Sequence, residues 1–253
     1  MMFAGKRVFV TGAATGIGRA TAEYLVGEGA SVFGAGLDGE EGEALARGHA
    51  GGSLIFRVCD LTRESEVRAA VAAARERFGG LDAVVNCAGI YPTGKRLEEL
   101  ADEEWDNTIA VNLTAIFRVC RATLPLLRAS GGGSIVNIAS VHADATVPGV
   151  PCYAATKAAV VGLSRQMALD YAVDRIRVNA VLVGSVATRM TLDALEAAGG
   201  AEAIGLSFEP NRIARIANPS EIATAIGFLI SDASSFVTGS AMQVDGGLLA
   251  RLL

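Results

Sequence analysis

The sequence has few of the residues that build metal sites or disulfide frameworks. It contains two histidines, His49 and His142, and four cysteines, none of them spaced as a CxxC pair. Scattered cysteines in mostly apolar runs favour buried free thiols in a reducing compartment over disulfides. We therefore expect neither a metal site nor a disulfide, and a cytoplasmic location is favoured.

Positive charge and long apolar runs are also scarce. The formal net charge is -5 and no long run of Lys or Arg occurs, which argues against a nucleic-acid surface because phosphate binding needs concentrated positive charge. No uninterrupted apolar run of about 18 residues predicts a transmembrane helix, and Gly5, Lys6 and Arg7 interrupt any signal-peptide core. Neither a nucleic acid nor a membrane is expected as a partner.

Apolar sequence punctuated by glycine is abundant. With 253 residues, 51% of them hydrophobic, and 30 glycines, the chain suits one domain spanning residues 1–253. Short apolar runs predict buried strands at residues 8–10, 31–35, 54–58, 83–86, 134–138, 177–183 and 242–244. Apolar residues at helical spacing predict helices between them, for example at residues 19–27, 65–78, 105–127, 153–172 and 219–230.

This alternation predicts an α/β fold, namely a Rossmann-type, doubly wound parallel sheet of about seven strands with helices on both faces. Ligands of such sheets bind beyond the carboxyl ends of the strands, where the strand order switches. Residues 188–217 do not follow the alternation of strands and helices, because they are rich in Ala and Gly and contain Gly199-Gly200 and Pro210. We expect this segment to be a substrate lid with short helices.

A glycine-rich loop follows the first predicted strand and precedes a helical pattern. Gly12, Gly16 and Gly18 have the spacing Gly-x-x-x-Gly-x-Gly. Gly12 can take a tight turn, Gly16 lets the backbone approach a pyrophosphate, and Gly18 permits close packing of the helix. The helix N-terminus offers unpaired N–H groups and partial positive charge to phosphates. The loop, with Thr15 and Ile17, therefore predicts a dinucleotide site.

Tyr153, Lys157 and Ser140 form a candidate catalytic group. Tyr153 and Lys157 are four residues apart in a predicted helix and project from one face. A free tyrosine has a pKa of about 10, and a nearby ammonium lowers it, so the pair suits proton exchange with an alcohol. Ser140 follows the strand at residues 134–138, at its carboxyl end. A serine hydrolase is not indicated, because Ser140 lacks a G-x-S-x-G elbow and His142 is only two residues away.

Together these motifs resemble the short-chain dehydrogenase/reductase family over nearly the whole chain. The spacing of thirteen residues from Ser140 to Tyr153 matches that family. Further matches are Asp60-Leu61, Asn86-Cys87-Ala88-Gly89, Pro219, Gly239 and Val244-Asp245-Gly246-Gly247. The resemblance implies a seven-stranded parallel sheet, usually in a homotetramer.

The resemblance also implies a role for each site residue. Ser140 would hydrogen-bond the substrate oxygen and Tyr153 would transfer the proton. Lys157 would bind the nicotinamide ribose and lower the pKa of the tyrosine, while Asn112 would hold a water that completes a proton relay. The implied cofactor contacts, besides the glycine loop, Tyr153 and Lys157, are Asp60, Leu61, Asn86, Ala88, Gly89, Val183, Gly184, Val186 and Thr188.

The end of the second strand bears on cofactor choice, since an acid there bonds the ribose 2′-hydroxyl and repels a 2′-phosphate. Gly36 stands at the usual acid position, and the nearest acid is Asp38. Asp38 either recognises the ribose or caps the next helix, because Asp38-x-x-Glu41 is a capping box. Leu37 and Thr15 are not basic, and the local charge is negative. NAD is therefore expected rather than NADP.

The candidate substrate residues are Tyr91, Thr93, His142, Val150, Cys152 and Met190. His142 either bonds a substrate hydroxyl or is a loop histidine, and Cys152 is expected to line the pocket rather than to act as a nucleophile. No dense basic patch for an acyl carrier or CoA is evident in the lid. A free small or medium secondary alcohol, a cyclic alcohol or a sugar is therefore expected as substrate.

The sequence as a whole predicts an oxidoreductase that transfers a hydride between NAD(H) and a secondary alcohol or ketone, with Tyr153 as acid/base. An NADPH-dependent carbonyl reductase and a non-catalytic dinucleotide-binding protein are the alternatives, since fold does not imply function. The apolar residues 248–253 would be costly if exposed, so we expect them at a contact between subunits.

Overall fold

The computed structural model describes residues 1–49, 53–210 and 212–250 and contains one seven-stranded parallel sheet. The strand order is β3-β2-β1-β4-β5-β6-β7, so the order reverses between β1 and β4. The strands are β1 Arg7–Thr11, β2 Ser31–Gly36, β3 Leu54–Val58, β4 Ala83–Asn86, β5 Gly133–Ile138, β6 Ile176–Val183 and β7 Ala241–Val244. The predicted doubly wound fold is confirmed, and each predicted strand lies within one residue of its observed bounds.

The sheet is buried on both faces because its strands carry apolar side chains in both directions. In β1, Val8 and Val10 point to one core, and Phe9 points to the other. The first core is closed by residues of α1, α2 and α8, and the second by residues of α3, α5 and α6. Strands covered on both sides are typical of parallel sheets with helical crossovers.

The helices are α1 Gly16–Gly27, α2 Gly39–Gly48, α3 Glu64–Phe78, α4 Asp102–Ile109, α5 Ala115–Ala129, α6 Pro151–Asp170, α7 Arg189–Ala197 and α8 Pro219–Ile230. The predicted bounds differ mainly at helix starts. The helix α1 begins three residues earlier than its apolar pattern, because its first turn is the glycine loop itself.

A π-helical turn over Ala110–Thr114 joins α4 to α5, so the chain is helical from Asp102 to Ala129. By length and composition this helix could cross a membrane, with a mean hydropathy of 1.3 over its most apolar window. The absence of a transmembrane helix stays a prediction, because a core helix of the same length and composition passes the same test. Within the protein, Ile116, Val119 and Leu127 of this helix are packed in the core.

The segment over residues 188–217 contains short elements, as its composition predicts. It holds α7 and a 3-10 turn over Glu202–Ile204, and Gly199 and Gly200 adopt positive φ angles between them. Its end is tied back by a bridge between Val186 and Ala217. The segment thus leaves the sheet after β6 and returns beside it. That it acts as a lid stays a prediction.

Candidate active site

A cleft of about 370 Å³ lies along the carboxyl ends of the strands. It crosses the switch point between β1 and β4, where ligands of doubly wound sheets bind. Most of the residues that the sequence assigns to a cofactor line it: Gly12, Thr15, Gly16, Ile17, Gly18, Asp38, Asp60, Leu61, Ala88, Gly89, Tyr153, Lys157, Val183, Gly184, Val186 and Thr188. The folded chain therefore brings distant sequence motifs to one surface.

The glycine loop is packed too tightly for side chains. A Cβ on Gly18 would lie 2.1 Å from the carbonyl oxygen of Gly12, and a Cβ on Gly12 would lie 3.0 Å from the backbone of Ala88. The helix α1 begins at Gly16, and the N–H groups of Gly16, Ile17 and Gly18 have no hydrogen-bond partner in the described part of the chain. A narrow cradle that ends in three free donors fits the pyrophosphate of a dinucleotide.

Tyr153, Lys157 and Ser140 meet at the centre of the cleft. Ser140 follows β5, and its Oγ donates to the carbonyl of Val183 at 3.4 Å and accepts from the N–H of His142 at 3.3 Å. Lys157 is buried one turn after Tyr153, and its Nζ donates to the carbonyl of Ile138 at 2.9 Å. The same Nζ lies 5.4 Å from the centre of the Tyr153 ring. The geometry brings a hydroxyl, a phenol and an ammonium together.

Burial is the largest influence on the pKa values of Tyr153 and Lys157. It raises the pKa of Tyr153 to about 12, with the Ser140 hydroxyl opposing the rise and Tyr91 adding to it. It also lowers the pKa of Lys157 to about 8. The expected lowering of the tyrosine pKa by Lys157 is therefore not seen in the chain alone, because loss of solvent outweighs the neighbouring charge and the ammonium is bonded to Ile138.

Asn112 lies fully buried in the π-helical turn and has its side chain fully engaged. Its Oδ1 accepts from the N–H of Ile90 at 2.8 Å, and its Nδ2 donates to the carbonyl of Ile90 at 3.0 Å and to Oγ1 of Thr156 at 3.3 Å. Asn112 does not line the cleft. Its carboxamide fixes the loop after β4 against α6. A water of the expected proton relay would therefore have to be bound by backbone groups rather than by this side chain.

Asn86 was expected to contact the cofactor, and it is not among the residues that line the cleft. Asn86 ends β4, and its Nδ2 donates to Oδ1 of Asn137 at 2.8 Å in the neighbouring strand. Asn137 in turn donates to Oγ of Ser164 at 2.9 Å in α6. The side chain of Asn86 is directed into the protein, away from the cleft. Its Nδ2 joins this buried ladder between sheet and helix, whereas its Oδ1 has no hydrogen-bond partner among the described residues.

At the far end of the cleft, Gly36, Leu37 and Asp38 follow β2. Asp38 occupies the N-cap position of α2, but its carboxylate makes no capping hydrogen bond. The side chain is exposed and makes no ion pair with any of the described residues. The capping box thus predicts the helix start correctly, while the carboxylate stays available to a ligand.

The structure places the six candidate substrate residues in different surroundings. Met190 lines the cleft, and Tyr91 and His142 contact the ring of Tyr153 without lining it. Val150 and Cys152 are buried, and Cys152 Sγ donates to the carbonyl of Trp105 at 3.6 Å. Cys152 is therefore no lining residue, since the α6 backbone turns its side chain towards α4. Thr93 is exposed and also lies outside the cleft.

Sequence reasoning missed several residues of the cleft. Ile90 and Val111 line it beside Asn112, and Arg189 and Thr191 line it in the first turn of α7. Arg189 is exposed and makes no salt bridge within residues 1–49, 53–210 and 212–250. Its position directly after Thr188, which packs on Gly16, was the available signal. The same described ranges hold no cluster of His, Cys, Asp or Glu suited to a metal ion.

Comparison with known proteins gives consistent matches over almost the full chain. A sequence profile described as "Enoyl-(Acyl carrier protein) reductase" matches residues 12–249. A 2,5-dichloro-2,5-cyclohexadiene-1,4-diol dehydrogenase of Sphingobium indicum is 42% identical over 247 residues, which cover 97% of this chain and 98% of that protein. A cyclopentanol dehydrogenase of Comamonas testosteroni is 38% identical, with the same coverage. The crystal structure of levodione reductase superposes with a TM-score of 0.92 at 32% identity and covers 99% of this chain and 100% of that one.

Proposed function

The chain belongs to the short-chain dehydrogenase/reductase family of oxidoreductases, and from this premise we propose that it transfers a hydride between NAD(H) and a secondary alcohol on a compact ring. The observation that carries the proposal is the meeting of Ser140, Tyr153 and Lys157 beside a phosphate cradle in one cleft. When bound, the nicotinamide supplies the hydride acceptor or donor. The residues of the chain supply the proton chemistry and the positioning.

Ser140 and Tyr153 handle the reacting oxygen. The Ser140 hydroxyl is buried at a strand end, where it accepts from the N–H of His142 and donates only a long hydrogen bond to Val183. It can therefore turn to donate to a substrate oxygen. Tyr153 is protonated in the chain alone, because burial raises its pKa to about 12. It is therefore ready to donate a proton to a carbonyl oxygen as the alcohol forms, and in the reverse direction it accepts the alcohol proton.

Lys157 makes the reverse direction feasible. For alcohol oxidation the phenol must first release its proton, and a cation beside the ring stabilises the phenolate. Lys157 has no carboxylate partner in the described part of the chain, and its ammonium makes its hydrogen bond to a backbone carbonyl. It therefore keeps donors free for ribose hydroxyls and its charge free for Tyr153. Positive charge on an oxidised nicotinamide would act in the same direction.

A ring alcohol without charge is the substrate class that we favour. Ile90, Val111 and Met190 line the cleft with apolar side chains. Two relatives carry the names of dehydrogenases for a chlorinated cyclohexadiene diol and for cyclopentanol. An apolar wall beside a hydrogen-bonding pair suits a compact ring that bears one reacting hydroxyl.

We favour NAD over NADP because Asp38 is exposed at the cleft with an unengaged carboxylate. A carboxylate at the end of β2 accepts from the ribose 2′-hydroxyl and repels a 2′-phosphate. Gly36 leaves room for this arrangement, since a Cβ there would meet nothing closer than 3.6 Å. An NADPH-dependent reductase would need a cation at this end of the cleft.

The test is a titration of the purified protein with NADH and with NADPH, followed by a screen of ring alcohols with the tighter cofactor. We expect NADH to bind at least about tenfold tighter, which corresponds to about 1.4 kcal/mol. We also expect absorbance from the reduced nicotinamide to appear with a ring alcohol. Equal or tighter binding of NADPH would refute the NAD assignment, and binding without turnover on any alcohol or ketone would favour a non-catalytic protein.

We further propose a cytoplasmic homotetramer. The four cysteines are free thiols, which suits a reducing compartment. Large apolar side chains are exposed on the single chain, among them Phe117, Leu169 and Phe236. Of the apolar C-terminal stretch, Leu248 and Leu249 are half-buried, and residues 251–253 lie outside the described residues. Deletion of residues 248–253 should shift the mass in light scattering towards the monomer.

A further inference from the structure

Two aromatic rings pack against Tyr153. The ring centre of Tyr91 lies 4.6 Å from that of Tyr153 with an interplanar angle of 74°, and that of His142 lies 5.5 Å away at 80°. Tyr91 and His142 also contact each other, with their ring centres 5.7 Å apart. Both contacts with Tyr153 are edge-to-face, the arrangement that aromatic pairs prefer. The phenol is therefore held by a closed triangle of rings.

Neither supporting ring lies where a dinucleotide would lie. Tyr153 lines the cleft, whereas Tyr91 and His142 do not. Nδ1 of His142 lies 3.0 Å from Oγ1 of Thr146, which fixes the orientation of the imidazole. The hydroxyl of Tyr91 makes no hydrogen bond within the described residues, and its ring contacts those of Tyr153 and His142. The two rings thus support the phenol from outside the cofactor cleft.

The backbone that carries Tyr91 is fixed to the helix that carries Tyr153. Asn112 bonds both the N–H and the carbonyl of Ile90, the residue before Tyr91. Asn112 also donates to Thr156, whose hydroxyl donates to the carbonyl of Tyr153 at 2.8 Å. The loop after β4, the π-helical turn and α6 are therefore connected in a ring of contacts that sets Tyr91 against Tyr153.

We propose that Tyr91 is a positioning residue, which holds the Tyr153 phenol in its reactive orientation with His142 as the second support. The proposal rests on the proposed role of Tyr153 in proton transfer and adds the residue that orients it. A tyrosine side chain has two rotatable bonds, and proton transfer requires its hydroxyl at hydrogen-bond distance from the reacting oxygen. Packing that locks the rotamer therefore raises the rate without a contact to substrate.

The kinetic test compares Tyr91→Ala with Tyr91→Phe, using cyclopentanol or the best ring alcohol found and saturating NAD. Tyr91→Ala should lower kcat about tenfold, because the phenol is free to leave its reactive rotamer. KM for the alcohol and the dissociation constant of NADH should change less than about twofold. Tyr91→Phe keeps the ring and should retain wild-type kcat. Leu97→Ala, a change of an exposed apolar side chain in the same segment between β4 and α4, serves as the surface control.

A second readout does not depend on turnover. The chain has four tyrosines, so the ionisation of Tyr153 is isolated by subtraction: from the tyrosinate absorbance of the wild type and of each Tyr91 variant is taken that of the same protein with Tyr153→Phe added. The pKa of Tyr153 is raised to about 12 by burial, and the groups facing it, Ser140, His142 and Lys157, are the same in each Tyr91 variant. Tyr91→Ala admits water and should lower the midpoint by at least about one unit. Tyr91→Phe should leave it unchanged.

The outcomes separate this proposal from the proposed function. An unchanged kcat and an unchanged Tyr153 titration in Tyr91→Ala would overturn the positioning role, provided circular dichroism shows the variant folded. If Tyr91→Ala does not fold, Tyr91→Leu and His142→Ala are measured instead with the same expectations. If the wild type transfers no hydride to or from any alcohol, the proposed function fails, and the titration still decides whether Tyr91 shields Tyr153.

Discussion

At the scale of single residues, Lys157 and Tyr153 share a buried corner in which the loss of solvent disfavours the charged form of both side chains. Burial lowers the pKa of Lys157 to about 8 and raises that of Tyr153 to about 12. At neutral pH the lysine is still charged and the tyrosine still protonated. The folded protein therefore keeps the charged ammonium of Lys157 in a poorly solvated place, which lowers its stability. Such a charge is useful only to a charged or proton-exchanging partner.

The cost of the Lys157 charge should appear in the pH dependence of unfolding. In the unfolded chain Lys157 titrates near 10.5, and in the folded chain near 8. Between these values the unfolded state binds more protons, so the free energy of unfolding rises with pH by on the order of 3 kcal/mol. Below pH 8 both states are charged and the full penalty is present.

Urea titrations of wild type and Lys157→Met at pH 7.5 and pH 10 measure this effect as a difference. Tyrosine and cysteine ionisations are common to both proteins and cancel. The wild type should gain stability relative to Lys157→Met as the pH rises. A constant difference across this range would show that Lys157 titrates normally and is better solvated than its surroundings indicate.

Sequence reasoning was most successful for residues whose role is set by backbone position. Gly18, Ser140 and Thr188 reach the cleft because they follow strand ends, which an apolar pattern predicts. It failed where side-chain direction decides. Asn86 and Cys152 are in the expected places along the chain, but their side chains point into the protein. The rise in the pKa of Tyr153 depends mainly on its burial in the folded chain, with a smaller contribution from Tyr91, and the spacing of residues does not encode either.

At the scale of elements, the first turn of α1 decides whether the cleft can hold a phosphate. Gly18 packs on the carbonyl of Gly12, which brings the free N–H groups of this turn over the end of β1. The π-helical turn that carries Asn112 has a comparable role, since it positions one side chain between the β4 loop and α6. A π turn inside a long helix frequently marks a functional site, and its period is not readable from the sequence.

Two glycine substitutions within α1 distinguish the effect of an added Cβ on the phosphate-binding loop from its effect on helix propensity. Gly18→Ala places a Cβ 2.1 Å from the Gly12 oxygen, so the loop must shift. We expect a loss of about 1–3 kcal/mol of stability and at least tenfold weaker NADH binding. Gly27→Ala, in the same helix, meets nothing within 4 Å and should leave stability unchanged or raise it by up to about 1 kcal/mol.

Thermal unfolding and NADH fluorescence titration measure both variants. Equal behaviour of Gly18→Ala and Gly27→Ala would mean that the loop tolerates a side chain, and that the close approach of Gly18 to Gly12 does not shape the phosphate site.

At the scale of the whole molecule, the alternation of strands and helices fixes a parallel sheet whose switch point lies between β1 and β4. All seven strands were predicted because each is a short apolar run, and the five central strands are buried on both faces, whereas the edge strands β3 and β7 are partly exposed. The strand order does not follow from local patterns and was not among the predictions, because the pairing of strands depends on the packing of the whole sheet. The helix over residues 102–129 shows that composition does not distinguish a membrane span from a core helix. It is apolar enough to cross a membrane, but it packs part of its surface in the core.

The central claim is that this architecture moves a hydride from an alcohol carbon to a nicotinamide with Tyr153 handling the proton. Ring alcohols that carry deuterium on the carbinol carbon, such as cyclopentanol and cyclohexane-1,4-diol, are incubated with NAD and the protein, and the reduced cofactor is analysed by mass spectrometry. We expect one deuterium per NADH with the wild type and almost none with Tyr153→Phe, which should still bind NADH. Absence of deuterium from NADH with every alcohol, or equal transfer by Tyr153→Phe, would contradict it.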